Sequence, residues 1–94
     1  MGLDTGSDLF DMNGNKVGTI TDVVFEPATL TPEWYEVKLG TLGGHHLVPA
    51  SSVTMEKGRG SVPFDKKVIK SAPGTSSPPL EEEKRTLLAH YKAV

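Results

Sequence analysis

Glycine and proline punctuate this chain throughout: ten glycines and seven prolines are spread over 94 residues. Glycine supplies the positive φ that reversals need and proline withholds a backbone N–H, so both break regular elements. Many turns at this density predict short strands rather than long helices. The first expectation is a mainly β protein.

A chain of this length makes one domain and buries only roughly 60–65% of its unfolded surface. A large enclosed active site is not expected. The sequence has no cysteine, so neither a disulfide framework nor a thiolate zinc site can brace the core. No run approaches the ~20 apolar residues of a membrane span, and the N-terminus lacks the basic start and apolar stretch of a signal peptide. The expectation is a soluble, cytoplasmic protein without membrane insertion. The net charge of −2 argues against a binder driven by phosphate contacts, yet its distribution is uneven. Residues 1–36 carry seven acids against Lys16 alone, whereas Lys57, Arg59, Lys66, Lys67 and Lys70 face only Asp65 within 57–70.

The stretch from Asp8 to Glu26 predicts a hairpin turning at Asn13-Gly14, with a long second arm from about Lys16 to Glu26. Alternation in that arm is imperfect, since Val17, Val23 and Phe25 share one parity and Ile20 and Val24 the other. Cover on both faces, or a bulge near Gly18, would account for it. In "EWYEVKLG" Tyr35, Val37 and Leu39 alternate with Trp34, Glu36 and Lys38, and the first set is placed inward. Gly40, Gly43 and Gly44 suit the loop that follows. Three short β runs come next, "HHLVP", "SVTMEK" and "SVPF", with the reversal between the last two at "GRG". Five or six short strands joined by turns favour a small antiparallel barrel over an open sheet with exposed edges.

Beyond residue 73 the composition shifts to the linker-like "GTSSPP" and then to strong helix formers over 80–92. Ser77 is the expected N-cap with Pro78 at the first helical position. Leu80, Leu87, Leu88 and Tyr91 form a single apolar stripe, so the helix is expected to dock, with Trp34 or the face beside Val68 and Ile69 as its cover.

Several motifs invite chemistry. Asp4-Thr5-Gly6-Ser7 matches the catalytic turn of aspartic proteases, which need two carboxylates about 3 Å apart sharing one proton. Asp4 has three residues before it and no strand to hold it, so a turn-forming tail over 1–7 is the better reading. A calcium loop starting at Asp11 would want glycine at position 6 and glutamate at 12, but Gly14 and Asp22 fall at 4 and 12. His45 and His46 are adjacent on a strand and point to opposite faces, so they do not chelate one ion together. No catalytic set, metal site or cofactor site is expected.

"LFDMNGNKVGTITDVVFE", "PEWYEVKLGTLGGHHLVPASSV" and "SVPFDKKVIKSAP" together resemble the PRC-barrel domain family, named for the H subunit of the photosynthetic reaction centre. The resemblance is strongest at Asp11 to Gly18 with Asp22-Val23-Val24, at Val48-Pro49, and from Lys66 to Pro73. It implies a six-stranded β-barrel over 8–73, a linker over 74–79 and a helix over 80–92. The chain is similar to the short stand-alone prokaryotic members, binding modules with no family-wide catalytic residue. A non-enzymatic interaction module, self-associating as a homodimer, is the leading expectation, since small domains without disulfides or metals gain stability by oligomerising. Trp34, Leu87, Leu88 and Tyr91, with Lys57, Arg59, Lys66 and Lys67, are the candidate interface. Association with RNA or the ribosome through the basic segment is the alternative, and a ligand or metal role near His45 and His46 is a third reading without specific support.

Overall fold

A computed structural model describes residues 5–40 and 44–92. Asp4 and Gly43 therefore lie outside the described residues. Six strands form one sheet: β1 (Asp8–Phe10), β2 (Lys16–Phe25), β3 (Pro32–Lys38), β4 (His45–Pro49), β5 (Thr54–Glu56) and β6 (Arg59–Ser61). A single 3-10 turn (Ala50–Ser52) joins β4 to β5, and helices α1 (Lys66–Lys70) and α2 (Glu81–Lys92) follow.

The sheet order is β4-β3-β2-β1-β6-β5. It is mixed, because β1 and β6 run parallel while the other neighbours are antiparallel. This corrects the expectation of a closed, purely antiparallel barrel. The chain passes directly from one edge strand to the other, and β6 thereby returns beside β1 in the same direction. Geometry still forces the sheet to curl. Five steps of ~3.8 Å separate the Cα atoms of Pro49 and Thr54, at most ~19 Å, whereas a flat sheet would hold its edge strands ~24 Å apart. The result is a rolled sheet whose seam between β4 and β5 has no ladder bonds.

Bulges explain the broken alternation of β2. Its pairing with β1 slips between Leu9 and Phe10, next to Gly18, and its pairing with β3 slips between Ile20 and Asp22. Val17, Ile20 and Val23 are all buried as a result. Gly18 is needed at the first slip, since a Cβ there would collide with the backbone of Lys38 and approach Leu39. In the β1–β2 turn only Gly14 of the Asn13-Gly14 pair has positive φ. The β5–β6 reversal falls at Lys57 and Gly58, both with positive φ, rather than across "GRG", and Gly60 sits buried inside β6. "SVPF" is not a strand: β6 ends at Ser61, and Val62 and Phe64 enter the core from irregular backbone.

One carboxylate ties the first turn to the end of the barrel. Asp11, the one buried charged residue described, accepts from the backbone N–H groups of Asn13 and Asn15 at Oδ1, both at 2.9 Å. Its Oδ2 accepts from the Lys66 N–H at 3.1 Å, across 55 residues of sequence. Burial pushes this carboxyl up, but the bonds from Asn15, Lys66 and Asn13 and the Lys66 charge outweigh it and hold the group below its ordinary 3.8. Around this centre Met12 N–H donates to Phe64 O, and the Asn13 amide donates to Asp65 Oδ2. Asp65 in turn caps α1 by accepting from Lys67 N–H at 2.8 Å.

Three outcomes are expected. Gly18→Ala loses about 3 kcal/mol in chemical denaturation because the obstructing atoms are backbone. Lys57→Asn gains up to ~1 kcal/mol by relieving a left-handed lysine in a tight turn. Asp11 is depressed, so its stabilisation is full above its unfolded value near 3.8 and is lost as pH falls through the lower folded value. Melting temperature should therefore hold from neutral pH to about pH 5 and drop below about pH 4. Asp11→Asn, which sets an amide N–H against a backbone donor, should lower the neutral-pH value and flatten that acid limb.

Candidate functional site

The C-terminal helix begins one turn later than Ser77 would have placed it. Pro79 disfavours a helical conformation at Pro78, which lies in a bend, and α2 starts at Glu81. Glu83 reaches back to accept from the Leu80 N–H at 2.8 Å and from Ser76 Oγ at 2.9 Å. Those two donors hold the Glu83 carboxyl below its ordinary value.

The helix lies against its own barrel. Leu87 is fully buried, and Tyr91 donates its hydroxyl to Leu47 O on β4 at 2.6 Å. Burial pushes the Tyr91 phenol far up, which keeps it a donor. His90 Nε2 sits 2.6 Å from Val68 O on α1, and Phe64 packs 5.4 Å from the Tyr91 ring. Trp34 is only 1% exposed and belongs to the same core, and its indole N–H has no partner among the described residues. Trp34, Leu87 and Tyr91 are thus engaged inside the chain. The predicted stripe is narrower than its four residues. Leu80 precedes the helix and is exposed, while Leu88 is 47% exposed beside a recess of about 310 Å³ lined by Pro49, Ser51, Ser52 and Tyr91.

The basic residues fall on two separate elements. Lys57 and Arg59 flank the β5–β6 turn, whereas Lys66 and Lys67 open α1 with their backbone N–H groups bound to Asp11 and Asp65. Arg59 lies 4.3 Å from the centroid of the Phe10 ring, a cation–π stack at a shallow recess that also includes Glu56. Phe10 and Arg59 are 49 positions apart and meet through the parallel β1–β6 pairing, which no local sequence signal reveals. His45 is exposed and His46 half-buried, and no group of three or more metal-ligating side chains converges among the described residues.

One further recess has no counterpart in the sequence reading. A cleft of about 410 Å³ lies between the β2–β3 hairpin and the segment that leads into α2, lined by Val24, Phe25, Pro27, Pro78 and Pro79 with Asp22, Glu33 and Lys84. Lys84 Nζ is 3.5 Å from Glu33 Oε1 and 3.3 Å from Glu81 Oε2. Burial pushes its ammonium down, but the pairing with Glu81 and Glu33 prevails and holds it above the ordinary value. Apolar walls with fixed charges at the edge can bind and orient a ligand.

Comparison with protein families finds that the model described as "PRC-barrel domain" matches residues 5–69. No curated protein matches the sequence.

Leu87→Ala should cost about 3 kcal/mol by leaving a cavity under α2, whereas Leu88→Ala should stay within ~1 kcal/mol. Tyr91→Phe should cost ~1 kcal/mol through the unmatched Leu47 carbonyl, each read as a shift in denaturation midpoint.

Proposed function

We propose, from the premise that the chain belongs to the PRC-barrel domain family, that it is a non-catalytic protein-interaction module which self-associates as a homodimer. The observation that carries this reading is the part-exposed Leu88 beside the Pro49–Ser52 recess. Leu87 and Tyr91 support that surface from beneath by fixing α2 on the barrel, and Trp34 is buried in the same core. A small core without disulfides gains from burying further apolar area against a second copy. An isologous contact would bring each Leu88 toward the other subunit's recess.

A second reading, association with RNA, is favoured by the Arg59–Phe10 stack, because aromatic faces beside cations suit unstacked bases. Lys57 shares that turn, and Lys66 and Lys67 add charge on α1. The net charge of −2 and the neighbouring Glu56 weigh against it.

Light scattering after size exclusion should give twice the 10.1 kDa chain mass for the wild type and the single mass for Leu88→Asp, which should still melt cooperatively but at a lower temperature than the dimer. A monomeric wild type at high micromolar concentration removes the dimer. Filter binding to total RNA across a salt series tests the alternative, where retention lost with salt and with Arg59→Ala would favour it.

A further inference from the structure

We propose that the cleft between the β2–β3 hairpin and the 77–79 segment docks an extended segment of a partner protein that carries an arginine or lysine beside apolar residues. This deepens the reading of the chain as an interaction module and does not depend on self-association.

The apolar part of the cleft is built from Val24, Phe25, Pro27, Pro78 and Pro79, and Phe25 is 40% exposed there. Both walls are held in place by hydrogen bonds within the chain. On the hairpin side Glu26 braces the turn: its Oε1 accepts from the N–H groups of Ala28 and Thr29, and its carbonyl accepts from Leu30 N–H at 2.7 Å. That turn holds Leu30 at φ 58, a conformation costly for a branched side chain and kept only because its surroundings impose it. On the other side the Ser76–Glu83–Leu80 bonds fix the approach to α2. A site already shaped spends little of its binding energy on ordering.

Charge then selects the occupant. Asp22 has no ion-pair partner among the described residues, and the one lysine of the lining is shared by Glu33 and Glu81. Two lining carboxylates, Asp22 and Glu33, against one ammonium that Glu81 also neutralises leave the edge negative. An anionic ligand would be repelled, and a purely apolar one would strip water from the carboxylates with nothing in exchange. An arginine or lysine meets both conditions, because its methylene stem can lie on Phe25 and the prolines while its head reaches Asp22 or Glu33. The Phe25 ring adds a cation–π contact. The cleft's volume of about 410 Å³ suits a few side chains of an extended peptide.

The test uses the full chain and a fluorescein-labelled heptapeptide in which one arginine lies between two leucines in a glycine–serine background. A second peptide has glutamate in place of the arginine. Anisotropy should show the arginine peptide binding about tenfold more tightly than its glutamate counterpart. Phe25→Ser and the Asp22→Asn/Glu33→Gln pair should each weaken it by about tenfold, and Leu88→Ala should leave it unchanged. Amide NMR shifts on titration should concentrate at residues 22–27, 33 and 77–84, with melting curves confirming that each variant is folded. No binding of the arginine peptide, equal binding of the two peptides, wild-type binding by both cleft variants, or shifts centred on Leu88 would overturn the proposal. Light scattering on the same samples reports self-association separately, so failure of one reading is told apart from failure of the other.

Discussion

The Asp11 carboxylate is the constraint on which the barrel depends. A turn of five residues and a helix that starts more than fifty residues later share its two oxygens, so neither end can settle without the other. Hydrophobic burial alone is non-directional and would tolerate many placements of α1 against β1. Three backbone N–H groups converging on one charge are not so permissive, since each would be left unpaired in a part-buried site if the carboxylate moved. The Asn13 to Asp65 bond and the Met12 to Phe64 bond repeat the same connection nearby, which makes the junction a network rather than a single tie.

From that junction the rest of the architecture follows in order. β1 is held beside β6, the sheet rolls, and the short link from Pro49 to Thr54 draws its two edges together. The seam that remains is managed locally. Tyr91 takes the Leu47 carbonyl on the β4 side, and the opposite edge is a strand of only three residues. The C-terminal helix therefore covers the open seam on its β4 side, and its outer flank is what the molecule presents there.

Local features were well marked in the sequence. The β2 span, its broken alternation with a bulge near Gly18 as one of two explanations, the Gly14 turn and the docking of a terminal helix all follow from periodicity and glycine placement, which act over a few residues. The resemblance carried by Asp11 to Gly18 and Lys66 to Pro73 agrees with the family match over 5–69. What stayed hidden depends on distant pairings. The parallel β1–β6 ladder makes the sheet mixed and sets Arg59 on Phe10, and α1, at five residues, is too short to show a helical period. Trp34 sat on the polar parity of β3 but is buried in the same core as Leu87 and Tyr91. The Phe25–Pro78 cleft could not be read at all, since its walls come from a hairpin and a proline segment some fifty residues apart that meet only in three dimensions.

The parallel pairing of the first and last strands also dictates the order in which the molecule can be completed. Antiparallel hairpins such as β2–β3 and β5–β6 close short loops, but β1 gains its second neighbour only after residue 59 has emerged. The entropy of closing that long loop is met before its contacts give any return, which places the domain among folds limited by non-local pairing. A chain cut anywhere before Ser61 leaves one side of β1 without its ladder and Asp11 without Lys66. Fragments of this barrel are thus expected to fail together rather than fold in part, and its roughly sixty-residue core behaves as one cooperative unit.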